Sequence, residues 1–100
     1  MKVERIPNIH PGMILKEDFM ELHGLSINKL SRLLFVPPIR ISQIVNGKRS
    51  ITADTALRLE KLFGARAQFW LNLQDQYDLE QAKEKCGGEI ADHIRAIHAA

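Results

Sequence analysis

Residues 26–47 read SINKLSRLLFVPPIRISQIVNG, and the stretch predicts two short helices meeting at a sharp corner. The Ser26 hydroxyl is suited to accept a free N–H of a first helical turn. Ile27, Leu30, Leu33 and Leu34 follow at helical spacing as a buried stripe, with Lys29 and Arg32 outside it. Pro37 disfavours helical geometry at Val36 and ends this helix. Pro38 suits the first position of the next one, where a missing N–H costs nothing. That second helix is expected to run to Asn46 and stop at Gly47, with Ile41, Ile44 and Val45 facing inward. Pro38, Ile39, Arg40 and Gln43 are left at its N-terminal end and on its outer side.

Two short helices joined by a three-residue turn, Phe35 to Pro37, have the lengths of a DNA-reading helix-turn-helix. In that arrangement the first helix crosses the sugar–phosphate backbone and the second presents its N-terminal side chains to base edges in the major groove. Gln43 can read adenine through N6 and N7, and Arg40 can read guanine through O6 and N7 or clamp a phosphate. Ile39 and Pro38 suit a thymine methyl. Ser26, Asn28 and Lys29 at the start of the first helix, and Asn46, Lys48 and Arg49 after the second, are the expected phosphate contacts. Plainer readings exist for each group. Gln43 can be a solvated helix residue, Lys48 and Arg49 a polar turn beside Gly47, and Ile39 part of the core.

Outside this unit the chain keeps helical period, with no sustained strand-type alternation. An earlier helix is expected from Pro11, with Met13, Ile14, Phe19 and Leu22 on or near its apolar face and Gly24 as its C-terminal cap. A later one follows Thr52 as cap, carries Asp54 in its first turn, and places Ala56, Leu59, Leu62 and Phe63 inward before Gly64. Further helices are expected over about Ala67–Asp75 and Asp78–Cys86, with Gly87-Gly88 as a break. Ile90, Ile94 and Ile97 then form a stripe to be covered either by the same chain or by a second copy. The expected fold is all-α: a five-helix repressor-like helix-turn-helix domain over 10–75, an N-terminal arm at 1–9 and a helical C-terminal extension at 76–100.

Charge supports the same assignment. The formal charge of +2 is unevenly spread: eight basic and two acidic residues lie between Leu22 and Arg66, against three basic and six acidic from Ala67 onward. A basic centre suits phosphate backbones, although a solvated surface also explains it. The single cysteine, Cys86, excludes an internal disulfide framework. No apolar run reaches membrane-spanning length, and Met1 to Ile9 hold no signal-type apolar run, so a cytoplasmic protein is expected. His10, His23, His93 and His98 have no metal-site spacing. Neither a metal nor a cofactor is expected, and no nucleophile–base pair or phosphate-cradling loop points to an enzyme. Trp70, on a helix with Phe69, Leu71 and Leu73, is read as core or interface rather than a ligand pocket.

Gly24-Leu25-Ser26 through Asn46-Gly47 resembles the phage-repressor-like helix-turn-helix domains. The likeness narrows to the HigA (VapI-like) antitoxins through His10-Pro11-Gly12 with Ile14-Leu15, and through Asn46-Gly47-Lys48-Arg49 leading into Ile51-Thr52-Ala53-Asp54 and Ala56-Leu57-Arg58-Leu59. Phe69-Trp70-Leu71-Asn72-Leu73-Gln74 with Tyr77-Asp78-Leu79 is its most specific mark. The match spans about His10 to Ala82. The resemblance implies a homodimer that binds a palindromic operator in its own promoter and neutralises a HigB-like toxin, a small ribosome-dependent mRNA-cleaving endonuclease. It also implies base contacts from the first two turns of the reading helix, which fall on Pro38, Ile39, Arg40 and Gln43. Some relatives look like plain regulators without a toxin, which is the alternative reading. A pure protein-interaction module, its basic face meeting an acidic partner, is a further one.

Three departures from the family pattern carry expectations. Many such motifs have Gly where this chain has Phe35; either its backbone is left-handed and strained for a bulky residue, or the turn has another shape and the tilt of the reading helix changes. Arg66-Ala67-Gln68 replaces Ser-Pro-Glu and gives a weaker helix start. Pro37-Pro38 removes two N–H donors from the entry to the reading helix, leaving it more dependent on Arg40 and Gln43.

Overall fold

A computed structural model describes residues 7–97. Residues 1–6 of the expected arm, and His98, lie outside the described residues. The elements are α1 (Pro11–Ile14), continuing directly into a π-helical stretch (Leu15–Met20), then α2 (Ile27–Leu34), α3 (Pro38–Val45), α4 (Ala53–Phe63) and α5 (Ala67–His93). The all-α expectation holds, and the helix-turn-helix pair lies where the punctuation of the sequence places it.

The first helix departs from simple periodicity. Past Ile14 its turns widen, and Glu21 N–H donates to Lys16 O, five residues back, at 2.9 Å. A turn closed at five puts Leu15 and Met20 on one inner face, and both are buried. Met13 and Leu22, expected on the apolar face, are exposed instead. Phe19 stays inward, with its ring 4.7 Å from that of Trp70. Trp70 is fully buried, so its assignment to the core holds.

Gly12 shows why α1 begins as it does. A Cβ on Gly12 would lie 1.8 Å from the carbonyl oxygen of Ile44. Only a residue without a side chain lets α1 lie directly on the end of α3. His10 precedes it as a cap, its Nδ1 accepting the Gly12 N–H at 2.9 Å.

The core gathers Leu15, Leu30, Ile41, Ile44, Leu59 and Trp70 with neighbours from every helix. In α2 the inner positions are Leu30, Ser31 and Leu34, while Leu33 is 45% exposed. Ser31 is tolerated inside because its hydroxyl donates to Asn28 O at 2.7 Å. Leu62, also expected inside, is at the surface. Thr52 occupies the cap position of α4, but its hydroxyl makes no capping bond. Gly24, Gly47 and Gly64 take positive φ at the expected helix ends.

The largest correction concerns the C-terminal third. The expected helices at 67–75 and 78–86 are one helix, and α5 runs unbroken through Gly87 and Gly88 to His93. Glycine costs about 1 kcal/mol in a helix interior. Two glycines without a proline do not outweigh a helix that is already propagating. The weak start at Arg66-Ala67-Gln68 is mended from outside, because the Ala67 N–H donates to Glu60 Oε2 of α4 at 2.8 Å. Beyond Gln74 no residue of α5 is fully buried. The radius of gyration is 17.1 Å, against about 13 Å for a compact chain of this length. Ile90, Ile94 and Ile97 are 50, 67 and 99% exposed, and the last two lie past the helix end. The stripe is therefore not covered by the described residues of its own chain.

Candidate nucleic-acid interface

The N-terminal ends of α2 and α3 lie side by side at the surface. Ser26, Ile27, Asn28, Pro38, Ile39 and Ser42 line one open cleft of about 530 Å³ between them. Ile27, expected in the buried stripe, is only half-buried and lines this cleft; Ser42 was not singled out by sequence reasoning. The mixed character of the cleft suits a surface that meets both apolar methyls and phosphate oxygens.

The expected phosphate contacts are all exposed, but they are not equally free. Ser26 Oγ caps α2 by accepting the Lys29 N–H at 3.1 Å, as the sequence predicts. Asn46 turns back on its own helix and donates Nδ2 to Ser42 O at 2.8 Å, so its amide closes α3. Lys48 is tied only through its backbone, its N–H donating to Gln43 O at 2.8 Å. Its ammonium, like the Arg49 guanidinium, makes no ion pair among the described residues.

On the reading helix, Pro38 and Ile39 are exposed, and Ile39, at 59%, is surface rather than core. Gln43 is half-buried, and its amide has no hydrogen-bond partner among the described residues. Arg40 differs from the expectation of a free group. Its Nη1 donates to Asp54 Oδ2 of α4 at 2.6 Å. The same oxygen accepts Arg58 Nε at 3.0 Å. Arg58 Nη1 in turn reaches the α2 end, at 2.8 Å from Leu34 O and 3.3 Å from Phe35 O. The Arg58 and then the Arg40 guanidinium hold the Asp54 carboxyl below the usual carboxylate range. Sequence reasoning took Asp54 only as a helix-dipole residue. The Asp54–Arg58 pair was legible as an i,i+4 spacing; the link to Arg40 had no local signal.

The corner takes the strained one of the two shapes that the sequence left open. Phe35 has φ 56° and ψ 46°, the left-handed region, and its side chain is 88% exposed. The turn keeps the left-handed geometry usually served by glycine. The two Arg58 bonds to carbonyls at this corner help hold it.

Among the described residues no group of three or more His, Cys, Asp or Glu side chains is placed to hold a metal ion. No helix there is long and apolar enough to cross a membrane.

Residues 17–70 match the Helix-turn-helix family. The chain is 52% identical to virulence-associated protein I of Dichelobacter nodosus over 79 residues, 79% of this chain and 73% of that protein. An addiction module antidote protein of a HigA family from Coxiella burnetii superposes with a TM-score of 0.87 at 48% identity, covering 92% of this chain and all of that one. The Pseudomonas aeruginosa antitoxin HigA, solved with the higBA promoter, superposes with a TM-score of 0.89 at 38% identity over 92% of this chain and all of that one.

Proposed function

The chain belongs to the helix-turn-helix family, in its HigA-like branch, and from that premise we propose that it is an antitoxin that represses its own operon. One observation carries the DNA-binding part: the N-terminal ends of α2 and α3 open side by side into an exposed cleft, where Ser26 and Asn28 of one helix face Pro38, Ile39 and Ser42 of the other. The relative solved with its promoter supports DNA binding. On this reading α3 enters the major groove, and Pro38, Ile39, Arg40 and Gln43 meet base edges. The exposed Ser26, Asn28, Lys29, Lys48 and Arg49 meet phosphates, and Asn46 supports α3 while facing the same strand.

Residues 10–75 form the DNA-binding domain on this reading, and 76–100 the extension. The protruding part of α5, with Leu79 and Ile90 exposed, and the exposed Ile94 just past its end support assembly as a homodimer. A twofold dimer requires a palindromic operator, with half-sites about 34 Å apart or a multiple of that. The second role is direct binding of a HigB-like toxin in the cytoplasm.

The test has two arms. Duplexes are selected from a random pool by the purified chain, and affinity is measured by fluorescence anisotropy against salt. Gln43→Ala is expected to cost about 1–3 kcal/mol and to relax base preference at one position. Lys48→Ala is expected to weaken all duplexes alike and to lower the salt slope by about 0.9. Wild-type affinity in both variants would show that another face meets DNA. In the second arm the chain is co-expressed with the product of the neighbouring reading frame. Co-purification supports the antitoxin role, whereas intact DNA binding without it assigns a stand-alone regulator.

A further inference from the structure

We propose that Asp54 is a specificity-determining positioning residue, holding the reading arginine of α3 in place so that it discriminates base edges instead of clamping any phosphate within reach. The inference rests on the DNA-binding reading above. Its basis is the chain of contacts from Arg58 through Asp54 to Arg40. Arg58 is fastened to the Leu34 and Phe35 carbonyls at the corner and to Asp54 Oδ2, so the carboxylate is itself held from a fixed point. Asp54 then takes Arg40 Nη1 at 2.6 Å.

Arginine has a long flexible stem and five N–H donors. A free one finds phosphates on any sequence, and that contact carries no sequence information. With Nη1 committed to Asp54, the remaining donors of Arg40 are offered from one place. Asp54 also lowers the local positive charge that attracts the DNA backbone. A non-specific complex has to pull Arg40 away from Asp54 to use it, whereas a selected site meets it where it already sits. The Arg40 and Asp54 side chains remain 28% and 55% exposed, so the group is accessible to DNA. Pairs this exposed contribute little to stability, which leaves direction, not folding, as the consequence of the contact.

The experiment uses the full chain and two duplexes: one selected from a random pool by the wild-type protein, and a shuffled duplex of the same composition. Asp54→Asn is expected to bind the shuffled duplex about tenfold more tightly, comparable to the worth of one base-pair mismatch, while the selected duplex changes less than about threefold. The salt slope on the shuffled duplex steepens by about 0.9, the release of one more counterion. Asp54→Glu restores the wild-type ratio. With Arg40→Ala already present, Asp54→Asn leaves the ratio of the two affinities unchanged. Asp54→Ser, which keeps a first-turn acceptor, gives the same comparison if the Asn variant is poorly folded by thermal unfolding. An equal rise on both duplexes, or the same effect without Arg40, makes Asp54 a general repulsive charge and overturns the inference while DNA reading stands. If the wild-type chain enriches no duplex at all, the DNA-binding reading falls, and this inference with it.

Discussion

The backbone N–H of Ile51 donates to the side-chain oxygen of Gln74 at 2.8 Å, across 23 residues of sequence. Both residues are buried. The bond fastens the segment between α3 and α4 to the middle of α5, and Gln74 Nε2 completes it by donating to Asp78 Oδ1 at 2.9 Å. A glutamine facing the core is thus a joint between the helix-turn-helix part of the molecule and its long helix.

Gln74→Leu keeps the volume but leaves the Ile51 N–H buried without a partner. The expected loss is about 1–3 kcal/mol, read from the urea midpoint at unchanged slope. A midpoint equal to wild type would mean that water or another acceptor reaches Ile51.

Two glycines give opposite results on gaining a methyl group. Gly12→Ala drives a Cβ into the Ile44 carbonyl. It is expected to destabilise the chain by about 1–3 kcal/mol and to weaken DNA binding by shifting α3. Gly88→Ala meets open space within α5 and is expected to gain about 1 kcal/mol. Thermal unfolding of both variants checks the pair; a loss at Gly88 would mean that α5 does not continue through that position.

Acid loosens the α1 start. Burial lowers the His10 pKa below its ordinary value, and the nearby Asp78 only partly opposes this. The neutral ring is needed, because Nδ1 accepts the Gly12 N–H. A depressed folded value means that the contribution is complete above about pH 6.5 and is lost as pH falls through the folded pKa. His10→Asn keeps a capping acceptor without titrating. Melting temperatures at pH 7.5 and 5.0 are expected to differ more for wild type than for this variant, and equal differences would exclude His10 as the source.

The corner stores strain. Phe35 is left-handed and almost fully exposed, so its ring contributes little to the core. Phe35→Gly relieves the steric cost and is expected to stabilise the fold by about 1 kcal/mol. A destabilised variant would reveal that the ring is covered in solution.

Much of the fold was legible because its signals are local. Pro37 and Pro38 separate the two helices and Ser26 caps the first, whereas the backbone of Phe35 stayed open between a left-handed corner and another shape. The weaker readings were those in which a local rule met a tertiary one. Gly87-Gly88 looked like a break, yet helix propagation overrode it. Leu22 and Met13 looked inward on a 3.6-residue period, yet both are exposed; Leu22 follows the widened turns, and Met13 precedes them. Most residues of the candidate interface are exposed at helix ends, while Arg40 and Gln43 are half-buried. Sequence alone did not reveal that Arg40 is tethered or that the Asn46 amide is occupied.

The amino-acid order alone determined the helical class, the corner at 35–37 and the family, because capping, proline geometry and apolar spacing act within a turn or two of backbone. The tertiary structure alone decided which side chains meet: Arg40 with Asp54, Glu60 with the Ala67 amide, Gln74 with Ile51, and Gly12 under Ile44. Those partners come from different elements, Ile51 from the segment between α3 and α4, and their distances follow from how the elements dock, a relation that no short-range period encodes.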